Sequence, residues 1–167
     1  MSDNKKKIFL IYPPSPVLNR EDRCQQPTKE LLVIPPLPPT DLMYLASVAE
    51  KEGFEAKICD YSQGGDLVED LKEFKPDYLV VNVATPTLEH DLDALKIAKD
   101  ILPNVVTIAK GAIFLTKSED ILKNHEALDI VIFGEAEDTL KEILQGVEKP
   151  LGIYYREDGQ IKFTGVR

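Results

Sequence analysis

Hydrophobic residues in this chain gather in short runs separated by stretches of helical spacing. Lys7-Ile8-Phe9-Leu10-Ile11-Tyr12 is a near-continuous apolar run, the pattern of a strand buried on both faces. From Leu42 the period changes. Leu42, Leu45, Ala46 and Ala49 mark one face of a helix, and Gly53 follows as its stop. Residues 55–59 read as a second strand. Gly64-Gly65 turns the chain, and Leu67, Val68, Leu71 and Phe74 give a second helical stripe. Residues 77–83 form the third strand, and Leu88, Leu92, Leu95 and Leu102 stripe the helix after it. Pro103-Asn104 ends that helix, and residues 105–109 make the fourth strand. Thr116 with Glu119 fits a capping box for a fourth helix. Residues 129–133 are the fifth strand, and Leu140, Ile143 and Leu144 line a fifth helix.

Five strands alternating with helices imply a parallel sheet covered on both faces. The expected fold is α/β: a flavodoxin-like, doubly wound, five-stranded parallel sheet in the order 2-1-3-4-5. Ligands of such sheets bind beyond the carboxyl ends of the strands, near the switch point between strands one and three. At the C-terminus, residues 152–156 and 160–164 flank Glu157-Asp158-Gly159, a hairpin signal. This hairpin is expected as an appendage, dividing the chain into a domain at 1–150 and a hairpin linker at 151–167. No helical pattern follows the hairpin, which is the expectation for a piece of something longer.

Composition narrows the partners. A length of 167 residues suits about one domain with a real core. A net charge of −9 repels phosphate backbones and anionic lipid, so neither nucleic acid nor a membrane surface is expected as a partner. Lys5-Lys6-Lys7 is the one basic run, and it reads as a solvated cap before the first strand. Cys24 and Cys59 lie far apart with no CxxC pair, which argues against a disulfide framework and a structural zinc site. The first seven residues are polar, and no apolar run has the length to span a bilayer. The expected location is the cytoplasm.

The residues that stand out lie at predicted strand ends. Residues 13–39 hold eight of the twelve prolines and no sustained periodicity. Such a loop is either a surface excursion or, since proline pre-sets a rigid path, one wall of a binding site. Leu31-Leu32-Val33-Ile34 within it argues for partial packing. The third strand leads into Thr85-Pro86-Thr87, where either threonine suits a helix cap or a ligand contact. The fourth leads into Lys110-Gly111-Ala112, small enough for close backbone approach. The fifth leads into Gly134-Glu135-Ala136-Glu137, followed by Asp138, acids that suit the positive end of a helix. Glu89, His90, Asp91 and Asp93 read as first-turn acids beside one histidine rather than a metal site, and His125 as a surface residue of the fourth helix. The chain has no GxGxxG after its first strand and no GxxxxGK[ST], so dinucleotide binding and triphosphate hydrolysis are not expected. Its first strand ends in Tyr12-Pro13-Pro14 rather than an acidic pair, and no Ser/His/Asp or Cys/His set is suggestively spaced.

These loop residues, taken in order, resemble one family. Residues 8–14, Pro36-Leu37-Pro38-Pro39 leading into Leu42-Met43-Tyr44-Leu45-Ala46, Thr85-Pro86-Thr87 and Gly134-Glu135-Ala136-Glu137 look like the cobalamin-binding N-terminal domain of radical S-adenosylmethionine enzymes, the magnesium-protoporphyrin cyclase-like group. The hairpin resembles the link that precedes the radical barrel in such proteins. The resemblance implies a corrinoid over the carboxyl strand ends, with its dimethylbenzimidazole tail reaching down the side of the sheet. A corrin has a large apolar face and a rim of amides. Pro13, Pro14, Leu37, Pro39 and Leu42 would supply the apolar shelf. Thr85, Thr87, Gly111, Gly134 and Glu135 would meet the amides and the tail, with Pro86, Ala112 and Glu137 completing the site. The family usually has Gly-Gly and a histidine two residues later after the fourth strand, where this chain has Lys110-Gly111-Ala112-Ile113-Phe114. No DxHxxG is present, so no protein histidine is expected beneath the cobalt. Nor is there a CxxxCxxC, so the S-adenosylmethionine and 4Fe-4S chemistry would belong to a downstream domain. Two rival readings stand beside this one: an interaction module of the same fold that has lost its cofactor, and a small flavodoxin-like enzyme with another cofactor such as flavin.

Overall fold

The computed structural model describes residues 5–14, 18–21, 24–27 and 38–167. The first strand, β1 (Lys7–Tyr12), is buried from Ile8 to Tyr12, as a central parallel strand covered by helices on both faces must be. Two short antiparallel strands follow inside the proline-rich excursion, β2 (Leu18–Glu21) and β3 (Cys24–Pro27). Leu31-Leu32-Val33-Ile34 and Leu37 lie outside the described residues. Helix α1 (Thr40–Lys51) ends before Gly53, whose φ of +87° is the left-handed geometry expected one residue past a helix cap. Then come β4 (Glu55–Asp60) and α2 (Leu67–Phe74). Asp66 caps α2 by accepting the Val68 and Glu69 N–H groups. The remaining elements are β5 (Tyr78–Asn82), α3 (Leu88–Ile101), β6 (Val106–Lys110), α4 (Phe114–Asn124), β7 (Ile130–Ile132), α5 (Glu137–Leu144), β8 (Ile153–Glu157) and β9 (Gln160–Phe163).

The main sheet runs β4-β1-β5-β6-β7-β8-β9. Its five parallel strands stand in the expected 2-1-3-4-5 order. The difference lies at the far edge. The C-terminal hairpin is no appendage, because β8 pairs antiparallel with β7 and extends the sheet to seven strands. The physical reason is edge protection: β7 has three residues, and without β8 its outer N–H and C=O groups would go unpaired.

Alternating side chains along the strands feed two separate cores. Phe9, Ile11, Leu79 and Val81 pack with α2, α3 and α4 on one face. Ile8, Leu10, Val80 and Ile132 pack with α1 and α5 on the other. Two local expectations fail. Val68 is partly exposed instead of joining the α2 stripe. Helix α4 begins at Phe114, two residues before the expected cap, so Thr116 sits inside the helix and its hydroxyl donates to the Ile113 carbonyl.

Gly111 explains itself by sterics. Its φ is +151°, and a Cβ there would stand 2.2 Å from the Val83 carbonyl oxygen. The ends of β5 and β6 therefore approach as closely as they do only because this residue has no side chain. Gly111→Ala is expected to destabilise the fold by roughly 2–4 kcal/mol. Thermal or urea denaturation measures this, and an unchanged midpoint would show that the strand ends separate without cost.

Candidate functional site

In a sheet wound this way, strand ends and helix starts share one edge. At the switch point, β1 leads to α1 on one face and β5 leads to α3 on the other, which opens a crevice between the two strand ends. Four polar side chains meet there. Asp41, in the first turn of α1, accepts through Oδ1 from the Tyr12 hydroxyl at 2.5 Å. Its Oδ2 accepts from Asn82 Nδ2 at 3.0 Å and from Lys110 Nζ at 2.7 Å. The ion pair is well enclosed, with Lys110 and Asp41 side chains 17% and 15% exposed. Tyr12, Asn82 and Lys110 are the last residues of β1, β5 and β6, and among the described residues Lys110 is the only cation that ends one of the parallel strands.

The other flank of the crevice is closed by a second carboxylate. Asp91 is fully buried in the first turn of α3. Its Oδ2 accepts the Ala84 N–H and the Thr87 hydroxyl, each at 2.8 Å. Capping at this helix is thus reversed from expectation. Neither Thr85 nor Thr87 caps α3 by its side chain, and Asp91 reaches back to the turn instead.

The expected site residues divide between interior and rim. Leu42 is fully buried between α1 and β1, because the apolar stripe of α1 faces the sheet. Pro13 is buried and Pro39 half-buried at the start of α1. Thr87 is buried on Asp91, and Gly111 is packed on Val83. Pro14, Thr85, Pro86, Ala112, Gly134, Glu135 and Glu137 are exposed on the carboxyl edge. Gly134, at φ +81°, has no heavy atom within 4 Å of where a Cβ would stand, so the space over it is open. Among the described residues no side chain caps the start of α5, which leaves its first N–H groups to other partners. Sequence reasoning missed Met43 and Leu115, half-exposed apolar residues in the first turns of α1 and α4. Their signal was an apolar residue standing off its helix stripe. Strand β3 runs beside the Thr85–Thr87 turn, so the proline-rich excursion returns to this edge.

Other reactive groups are quiet. Among the described residues no three His, Cys, Asp or Glu side chains cluster to hold a metal. Asp93 pairs with Lys96 at 2.8 Å. His125 is not a surface residue of α4: it lies at the end of that helix, largely enclosed, 3.9 Å from Glu89. On the edge strand β4, burial pushes the Cys59 thiol above its ordinary range. Burial, and then donation to Asp70, push the Tyr61 hydroxyl up as well. Both therefore stay protonated near neutrality and supply no nucleophile. Hydrogen bonds from Lys57 and then Tyr61 hold the Asp70 carboxyl below its usual range.

Comparisons with known proteins identify the family. Residues 35–144 match a family model described as B12 binding domain. An uncharacterized methyltransferase of Pyrococcus horikoshii is 30% identical over 156 residues, covering 80% of this chain and 34% of that protein. The anaerobic magnesium-protoporphyrin IX monomethyl ester cyclase of Cereibacter sphaeroides is 26% identical, covering 66% of this chain and 19% of the cyclase. The enzyme of that name from Synechocystis is 23% identical, covering 93% of this chain and 32% of its own length. The chain thus spans about a third or less of the curated relatives it matches.

The Asp41 cluster makes a measurable prediction. Asp41→Asn and Lys110→Met each strand a partly enclosed charge and are expected to cost roughly 1–3 kcal/mol. The double variant removes both charges and should cost less than the sum of the two. Urea denaturation of the four proteins tests this, and strict additivity would show that the pair is not coupled.

Proposed function

This chain belongs to the B12-binding domain family, and on that premise we propose that it is the corrinoid-binding module of a radical S-adenosylmethionine enzyme. The observation that carries the reading is the coincidence of the family match with an open rim of the right chemistry. Gly134 leaves room for a flat ring, since a Cβ there would meet nothing. Pro14, Pro86, Met43 and Leu115 offer exposed apolar surface. The Thr85 hydroxyl, the Glu135 and Glu137 carboxylates and the uncapped N–H groups of α5 suit a rim of amides. These residues fit the ring of cobalamin. A bound corrinoid supplies organometallic and radical chemistry at its cobalt, while the protein binds, orients and shields it.

The relatives' names, a methyltransferase and a cyclase, belong to much longer proteins. On this reading residues 1–150 hold the corrinoid and residues 151–167 lead toward a radical barrel. That barrel would carry S-adenosylmethionine and a 4Fe-4S cluster. No helix among the described residues is long and apolar enough to cross a membrane. We place the module in the cytoplasm, in keeping with its two widely separated cysteines. One observation favours a second reading, an interaction module without cofactor: Met43 and Tyr44 are adjacent on α1 and 50% and 67% exposed.

The test is to mix the purified protein with hydroxocobalamin and follow the visible spectrum through a desalting column. Co-elution of corrinoid is expected. Its absence, where a known cobalamin domain retains the ligand, would sink the proposal, and flavin absorbance in the untreated protein would favour the third reading. Gly134→Trp is expected to weaken binding by about tenfold or more, through crowding over the start of α5. Gly134→Ala carries the same positive-φ strain without the bulk and should bind nearly as the parent does. Equal affinity of the Trp variant would move the site away from this loop.

A further inference from the structure

We propose that Lys110, with Tyr12 and Asn82, forms a seat for a phosphate group of the ligand, and that Asp41 fills this seat until the ligand displaces it. The proposal rests on the corrinoid reading above and deepens it. It names the part of a cobalamin that this crevice recognises, the phosphodiester of the nucleotide arm. Free phosphate shares that chemistry, and the experiment below separates the two.

Three donors converge on one carboxylate from the ends of three neighbouring strands, β1, β5 and β6. The Tyr12 hydroxyl donates to Oδ1 of Asp41 at 2.5 Å, and Asn82 Nδ2 and Lys110 Nζ donate to Oδ2 at 3.0 and 2.7 Å. A carboxylate presents two oxygens sharing one negative charge, and so does a phosphodiester through its two non-bridging oxygens. A donor set that holds the first suits the second, and bonds assisted by charge are the strong ones. The seat lies at the switch point, where ligands of such sheets bind. Gly134, with open space above it, follows β7, the strand beside β6, and neighbouring strands lie about 5 Å apart. The open rim therefore adjoins Lys110. Among the described residues no other parallel strand ends in a cation, and the exposed ionisable groups that follow Gly134 are Glu135, Glu137 and Asp138. An anionic arm is repelled by those carboxylates and drawn to Lys110.

Asp41 leaves the seat by rotating its own side chain. Leu42, Leu45 and Ala49 are essentially inaccessible to solvent and hold α1 on the sheet, while Thr40 and Met43 are exposed, so water lies close to Asp41. The departing carboxylate is rehydrated, and the arriving phosphate keeps Lys110 neutralised, so no enclosed charge is left alone. As a group of the same chain, Asp41 acts at a high effective concentration. Free phosphate does not displace it, whereas a phosphodiester tethered to a ring already held on the rim does.

The test uses the parent, Asp41→Ala, which empties the seat, and Asp41→Ala combined with Lys110→Met, which also removes the cation. Circular dichroism establishes that each is folded, and Asp41→Asn stands in where Asp41→Ala is not. Hydroxocobalamin carries the phosphodiester and diaquocobinamide lacks it, so the ratio of their dissociation constants, read from visible spectra, isolates the nucleotide arm. Asp41→Ala should raise the preference for hydroxocobalamin by about tenfold over the parent, and the added Lys110→Met should abolish that gain. The second arm uses inorganic phosphate alone, at an ionic strength held constant with chloride. Phosphate should raise the melting midpoint of Asp41→Ala but not that of the parent or of the double variant. A gain in the corrinoid arm alone assigns the seat to the tethered phosphodiester, and a shift in the phosphate arm alone assigns it to free phosphate. If neither effect appears in Asp41→Ala, or if both survive the loss of Lys110, the proposal is overturned. If no corrinoid is retained by any of the proteins, the corrinoid reading fails, and the phosphate arm then decides the seat by itself.

Discussion

The Asp41 carboxylate ties α1 to the ends of three neighbouring strands. It belongs to α1 and binds the ends of β1, β5 and β6. Those strands are neighbours in the sheet, and β1 and β5 flank the switch point, where the winding of a doubly wound fold leaves a gap. Asp41 therefore sets both the seating of α1 on the sheet and the depth of the crevice above it. An enclosed ion pair is modest evidence for stability, because desolvation opposes the attraction. Its consequence here is geometric: it converts an opening into a floor.

The opposite flank reaches the same result by other means. Asp91 ties the turn after β5 to α3, and Gly111 lets β6 close against Val83. With both flanks shut, what remains open is the rim. Gly134 has empty space above it, the start of α5 is uncapped, and Pro14, Pro86 and Ala112 are exposed nearby in the fold's carboxyl edge.

Two features of the far edge frame the module. The hairpin completes the sheet beside the three-residue strand β7, where Tyr154 stacks on Phe163 at 4.3 Å between ring centroids and Phe133 meets both rings at an angle, at 5.2 and 6.0 Å. At the other edge, β4 carries Lys57, which bonds Asp70 and lies over the Phe9 and Phe74 rings. Both are packing devices at the two edges of the sheet.

Much of the fold was legible in the pattern of the chain. The apolar run from Ile8 to Tyr12, the stripe of Leu42, Leu45 and Ala49, and Gly53 after it depend on local periodicity, so strands, helices and the 2-1-3-4-5 order followed from the residues alone. The ordered loop residues also carried the family resemblance. What sequence could not reveal was which loop residues are spent on the protein itself. Leu42 reads equally as shelf or core until α1 is laid on the sheet, and Thr87 as ligand contact or internal donor until Asp91 turns back toward it. Asp41 meets partners 29, 41 and 69 positions away, a conjunction that no local pattern encodes. Periodicity and turn chemistry act between neighbours in sequence, and so determined the elements and their order. The closing of the crevice depends on side chains brought together by chain crossovers, and only the tertiary structure decided it.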